Sequence, residues 1–215
     1  MEIKGFIETS FVDWPGKICA VLFLPSCNLR CPFCHNQDLV LHPESLTSYP
    51  WGYIEKRLTA LCKWLDGVCI TGGEPTLQSD LGDLLTRVRH LGLSVKLDTN
   101  GTRPEMLRSL IDRNLIDYLA IDIKGPLDQE SYRQCAGAPV SVSDIRTSMD
   151  FILAGRVQGE FRTTVVPSWH TPPVLAQMAL ELNQAPIWRQ QVFNPAQAMN
   201  PALCAETPFL SQTNH

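Results

Sequence analysis

No stretch of this sequence is apolar for long enough to cross a bilayer. The longest uninterrupted run, Ile18 to Leu24, falls far short of the roughly 20 residues that a spanning helix needs. Basic charge is not in excess either: 18 Lys and Arg stand against 22 Asp and Glu, for a net charge of -4 and a pI near 5.7. A broad basic face for nucleic acid is therefore not expected. Met1 to Ser10 alternates charged and apolar residues and holds no apolar signal core. No internal repeat or low-complexity tract stands out. The reading is of a chain with neither membrane nor nucleic acid among its partners, located in the cytoplasm, where thiols stay reduced. Its 8 cysteines are then not a disulfide framework. Five are scattered (Cys19, Cys62, Cys69, Cys135, Cys204) and read as small core residues. With 215 residues, 44% hydrophobic and 19% charged, the chain suits one globular domain with a sizeable core.

The remaining three cysteines lie in one run, Cys27-Asn28-Leu29-Arg30-Cys31-Pro32-Phe33-Cys34, a C-x3-C-x2-C triplet just after an apolar strand. Three close thiolates without a fourth can hold three irons of a [4Fe–4S] cube and leave one iron open to a small molecule, whereas four protein ligands would make an electron carrier. Zinc held by Cys27, Cys31, Cys34 and His35 is the competing reading, although adjacent Cys34 and His35 would have to turn toward one tetrahedral ion. Coincidental core cysteines are a third, opposed by the loop-forming Asn28, Arg30 and Pro32.

Strand and helix alternate along the chain. Ile18 to Leu24 reads as a buried strand. Ile54, Leu58, Leu61 and Leu65 repeat at helical spacing, and Val68 to Thr71 is strand-like. Leu81, Leu84, Leu85 and Val88 mark a helix before a strand over Leu93 to Thr99. Met106, Leu107, Leu110 and Ile111 form a helical stripe behind Pro104. Tyr118 to Ile123 is the fourth strand, Ile145 to Leu153 a helix stopped by Gly155, and Phe161 to Val166 the fifth strand. A helix entered through Pro172 and Pro173 precedes the last strand, Ile187 to Phe193. Six β/α units require a parallel sheet with right-handed crossovers. Periodicity does not choose between an open doubly wound sheet and an incomplete barrel. In both, chemistry belongs at the carboxyl ends of the strands, where the unusual residues of this chain fall.

Gly72-Gly73-Glu74-Pro75 follows the second strand. It reads as a tight strand-to-helix turn, or as exposed backbone beside a carboxylate that can take an ammonium group. Asp98, Asp122 and Lys124 end strands that otherwise read as buried, so they must face a polar cavity or pair with one another. Arg162 either faces that cavity or the outside. His170 reads as a helix-start residue rather than a ligand, while His35 belongs to the loop that wraps the cysteines.

With these residues in view, the chain resembles the radical S-adenosylmethionine enzymes, and among them the glycyl-radical-enzyme activases of the type that act on anaerobic ribonucleoside-triphosphate reductases. The segments that carry the resemblance are Gly5 to Ser10, Asp13 to Ile18, Cys31 to Asn36, Leu97 to Gly101, Ile121 to Lys124 and Phe161 to Pro167. The resemblance implies an α/β fold, a partial (β/α)6 TIM-like barrel. Residues 1–200 would form its single domain with a cluster loop over 25–38, and 201–215 a flexible tail. It implies one [4Fe–4S] cluster on Cys27, Cys31 and Cys34, with S-adenosyl-L-methionine on the open iron. Phe33 and His35 would lie against that cofactor, and Gly72, Gly73 and Glu74 would meet its amino group. Asp122 and Lys124 match an Asp-x-Lys motif at the cofactor site. Asp98 and Thr99, with Asp122, match residues that hold a monovalent cation, and Arg162 aligns with an arginine near the reacting end.

The activity implied is reductive cleavage of S-adenosylmethionine and formation of a glycyl radical on a partner, the anaerobic ribonucleotide reductase, with reduced flavodoxin or ferredoxin as electron donor. The radical is borne by the cofactor, so no catalytic acid or base is expected, and no convincing one is seen. Two residues depart from the pattern: Ser26 stands where such activases have glycine, and Asn194 where one of them has histidine. The alternatives are a small-molecule enzyme of the same superfamily, such as a 7-carboxy-7-deazaguanine synthase, and a zinc- or cluster-binding module without catalysis.

Overall fold

The computed structural model describes residues 1–182, 184–200, 202 and 203. Cys204 and the stretch read as a tail lie outside them, apart from 202 and 203. Seven strands form one sheet in sequential order. β1 (Gly5–Ser10) runs antiparallel to β2 (Cys19–Leu24). β3 (Gly67–Gly72), β4 (Ser94–Thr99), β5 (Tyr118–Asp122), β6 (Gln158–Val165) and β7 (Trp188–Val192) follow, each parallel to its predecessor. A doubly wound sheet would reverse its strand order part-way. This one never does, so it winds in one direction as a partial barrel, with β1 added along the edge of β2.

The helices are α1 (Gln37–Leu41), α2 (Trp51–Leu61), α3 (Leu81–His90), α4 (Pro104–Asp112), α5 (Gln129–Ala136), α6 (Val142–Leu153) and α7 (Pro172–Glu181). Pro104 and Pro172 open α4 and α7, where a missing N–H costs nothing. Asp128 and Ser141 cap α5 and α6 by accepting from the backbone N–H of Ser131 and Asp144. None of these helices is long and apolar enough to cross a membrane.

Side chains of a strand alternate between faces, and here the two faces differ in chemistry. Ala20, Leu22, Leu24, Val68, Ile70, Val95, Leu97, Leu119, Ile121 and Phe161 join the helix stripes in one apolar core. The opposite parity carries a smaller apolar cluster, Trp14, Cys19, Val21 and Cys69, with Phe23 and Tyr118 against it. Farther along the sheet the register pairs include charge: Lys96 lies beside Cys69, and Arg162 beside Asp122. Trp14, on the loop between β1 and β2, is buried against Tyr118 with ring centroids 6.1 Å apart. It packs where the strands begin, at the end of the barrel opposite the cysteines.

Candidate active site

The carboxyl ends of the strands surround a cavity of about 370 Å³. Every residue expected at the site lines it except one: Cys27, Cys31, Cys34, Phe33, His35, Gly72, Gly73, Asp98, Thr99, Asp122, Lys124 and Arg162 all reach it. The exception is Glu74. Its side chain is fully buried and turned away, accepting from Thr76 N (3.0 Å), the Thr76 hydroxyl, Thr99 Oγ1 (2.7 Å) and Asn100 N (2.7 Å). Burial pushes its carboxyl up, and these donors pull it partly back. With its oxygens so engaged, Glu74 presents neither to the cavity. It ties the turn after β3 to the end of β4.

The glycines beside it are required by sterics. Gly72 has φ +124°, and a Cβ on either Gly72 or Gly73 would collide with the carbonyl oxygens of Leu24 and Ser26. Thus β3 can cross the end of β2 only as bare backbone, and that backbone is left facing the cavity. Asn36 fixes it further, its Nδ2 donating to the Gly72 carbonyl at 2.8 Å.

The cysteine loop is held by backbone hydrogen bonds. Ser26 N donates to Leu39 O (2.8 Å), Arg30 N to Ala136 O (2.9 Å) and Cys34 N to Cys31 O (2.9 Å). The Arg30 guanidinium donates to the carbonyls of Cys27 and Leu29, both at 2.7 Å. Cys27 Sγ accepts from Leu29 N at 3.4 Å and Asn100 Nδ2 at 3.8 Å, contacts that favour a thiolate. Burial nevertheless pushes all three thiols up, Cys31 to about 12, so a metal taking them as thiolates must release their protons.

His35 does not turn toward an ion shared with the thiols. Its ring stacks on Phe193 (centroids 5.9 Å apart, planes 14°), and its Nε2 accepts from Asn194 N at 3.3 Å. That contact engages Nε2, one of the two nitrogens through which the zinc reading would use this residue. Among the described residues no three His, Cys, Asp or Glu side chains converge as one ion demands. Thiolates that each hold a different iron have no need to converge. The donor set therefore fits a three-cysteine cluster: soft sulfurs on one wall, with a cavity left in front of them.

The opposite wall is ionic. Arg162 donates from Nη1 to Asp98 Oδ2 and from Nε to Asp122 Oδ1, both at 2.9 Å, while Lys124 Nζ lies 3.1 Å from Asp122 Oδ2. Burial would raise the Asp122 carboxyl, but Arg162 and Lys124 outweigh it and hold the group below the usual carboxylate range. Burial likewise opposes the Lys124 and Arg162 cations, and the aspartates keep both charged. Behind Asp98 stands a residue the motif reading passed over. Lys96 is fully buried and ion-paired to Asp98 Oδ1.

His170 has a role beyond starting α7. Its Nδ1 accepts from Val166 N at 2.9 Å, and its Nε2 faces the Lys124 carbonyl at 3.0 Å. An N–H only donates and a carbonyl only accepts, so the ring is neutral with its proton on Nε2. Burial also lowers its pKa from 6.5. The buried imidazole thus pins the segment that carries Asp122 and Lys124.

A family model described as the radical SAM superfamily matches residues 21–155. This chain belongs to the radical SAM superfamily. A protein of Methanocaldococcus jannaschii, provisionally named a glycyl-radical enzyme activating enzyme, is 33% identical over 201 residues, covering 91% of this chain and 81% of that protein. The pyruvate formate-lyase-activating enzyme of Clostridium pasteurianum is 31% identical over 143 residues, 63% of this chain and 57% of that one. Among solved structures, anSMEcpe with bound AdoMet superposes with a TM-score of 0.58 at 16% identity, over 80% of this chain and 51% of that chain. The radical SAM chain thus spans about four-fifths of the first relative and little more than half of the other two. Radical SAM proteins use a [4Fe–4S] cluster and S-adenosylmethionine, and the thiol wall described above suits the first of these.

Proposed function

We propose that this chain is a glycyl-radical-enzyme activase whose partner is an anaerobic ribonucleoside-triphosphate reductase. The observation that supports it best is the division of one cavity into a wall of three thiols and a wall of cations, with bare glycine backbone between them. Cys27, Cys31 and Cys34 would hold three irons, leaving the fourth to the amino and carboxylate groups of S-adenosylmethionine. The backbone of Gly72 and Gly73 would accept from the amino group, with Glu74 as the strut that keeps this turn in place. Lys124 and Arg162 lie where an anionic group is received, and Phe33 and His35 would pack on the cofactor. When bound, a cluster reduced by flavodoxin or ferredoxin would give one electron to the cofactor's sulfonium, whose homolytic carbon–sulfur cleavage would release methionine and leave the adenosyl carbon able to take one hydrogen atom from a substrate carbon. Leu29, Phe33 and Val40 add apolar side chains to the lining, beside which a bound cofactor would be partly screened from water. No side chain need move a proton. A glycine Cα suits such a site because it is sterically open and its backbone fits a narrow mouth.

The test is anaerobic reconstitution, reduction with dithionite, addition of S-adenosylmethionine and mixing with candidate glycyl radical enzymes. The reading expects a glycyl doublet in the electron paramagnetic resonance spectrum of the ribonucleotide reductase. It also expects none when the acceptor glycine is replaced by alanine. Cofactor cleavage with every reductase silent, but with turnover of a pterin-like compound, would replace it by the small-molecule reading.

A further inference from the structure

The resemblance to activases assigns a monovalent cation to Asp98, Thr99 and Asp122, and in this chain all three are engaged by other groups. Thr99 Oγ1 donates to Glu74 at 2.7 Å and accepts from Gly101 N at 3.1 Å. Both Asp122 oxygens are taken, by Arg162 and Lys124. Both Asp98 oxygens are taken, by Lys96 and Arg162. A soluble ion would have to displace cations that are covalently part of the fold. The residues do not fit the group.

We infer that Lys96 is a built-in monovalent cation, its ammonium supplying at Asp98 the positive charge that an alkali ion would bring, so that this protein binds no such ion there and needs none. Lys96 lies two residues before Asp98 on β4, so both side chains project to the same face. Its Nζ has Asp98 and, at 3.7 Å, Cys69 Sγ as hydrogen-bond partners, and its side chain is 0% exposed. A buried ammonium with one carboxylate to neutralise it does not leave. Burial opposes its charge, and Asp98 more than restores it.

The pair continues as an alternating row: Lys96, Asp98, Arg162, Asp122, Lys124. Three cations against two carboxylates leave one positive charge, presented to the cavity by Arg162 and Lys124. Lys96 is a positioning residue in this row. By neutralising Asp98 from behind, it leaves Arg162 and Lys124 with charge to spare for an anionic group in front. The inference rests on the cofactor site proposed above only for the direction in which that charge acts.

The experiment compares the full chain, without and with cluster, in nitrate salts of potassium, sodium and tetramethylammonium at one ionic strength. Wild type is expected to unfold at the same temperature in all three, to leave thallium(I) NMR signals unbroadened, and to bind S-adenosylmethionine equally well. Lys96→Met opens the place beside Asp98. It should lose S-adenosylmethionine binding in tetramethylammonium and recover it in potassium. At about 100 times its dissociation constant, potassium should also raise the variant's unfolding midpoint by roughly 5–10 °C. A potassium-specific rise in the wild-type midpoint would overturn the inference, as would a folded Lys96→Met that no alkali ion rescues. If Lys96→Met does not fold, the wild-type comparison decides alone. A chain that takes no cluster would defeat the proposed function and leave the measurements on the cluster-free protein standing.

Discussion

Replacing Ser26 by glycine is expected to stabilise the protein, against the usual trend for glycine substitutions. Ser26 has φ +69°, in the left-handed region that L-residues disfavour by roughly 1–2 kcal/mol. The conformation is imposed on both sides: its N–H donates to Leu39 O at 2.8 Å and its carbonyl accepts from Glu74 N at 2.7 Å. These bonds join the start of the cysteine loop to α1 and to the glycine turn, so the chain cannot relax without losing them. Glycine removes the strain and gives back about 0.5–1 kcal/mol through the greater freedom of the unfolded chain. The Ser26 side chain is exposed, so little packing is lost. The net gain is about 0.5–1 kcal/mol, or a midpoint roughly 1–4 °C higher for a chain of this size. Thermal and urea unfolding of the cluster-free protein under reducing conditions would measure it, with Ser26→Val as the opposite arm. A β-branched residue there should lower the midpoint well below that of wild type. A lower midpoint for Ser26→Gly, or an unchanged one for Ser26→Val, would refute the argument.

Other predictions follow from the same geometry. Cys31→Ala should abolish iron and sulfide retention after anaerobic reconstitution, while Cys135→Ala should retain both; equal loss would mean that the ligand set is misassigned. Arg162→Leu removes one partner from each of two aspartates but leaves Lys96 and Lys124 on them. Its cost should therefore fall at the low end of the range for breaking a buried pair, about 3 kcal/mol by denaturant unfolding, and a neutral effect would show the row to be slack. Because the folded pKa of His170 is depressed below 6.5, its stabilisation is present above that pH and fades as pH falls toward the folded value. The midpoint of wild type should drop from pH 7 to pH 5 more than that of His170→Gln, and parallel curves would sink the neutral-imidazole assignment.

Most of the six parallel strands and five of the helices are legible in the sequence because they present an apolar stripe to one large core, while β7, with no buried residue, is legible only from its place after the last helix. β1 is not, although Met1 to Ser10 alternates as a half-exposed edge strand does, because the same alternation also suits an exposed terminal segment. The short α1 and α5 lack the length for periodicity to speak. At the site, the residue types and their convergence could be read from the chain, but the direction of each side chain could not. Glu74 is adjacent to the cavity in sequence, and only the three-dimensional course of β4 puts Thr99 and Asn100 where they draw it away. Lys96 is not legible as a site residue because a charged residue inside an apolar strand gains meaning only from its partners. Its spacing from Asp98 was the available clue. Arg162, equally poised in sequence between cavity and solvent, is turned inward by Asp122 of the neighbouring β5 and Asp98 of β4 beyond it.

The most direct measurement on the central claim is the electron paramagnetic resonance spectrum of the reconstituted, reduced protein before and after addition of S-adenosylmethionine. A three-cysteine cube with one iron facing the cavity predicts a signal whose g-values shift on addition. An unchanged signal, or a protein filled by one equivalent of zinc and silent throughout, would contradict it.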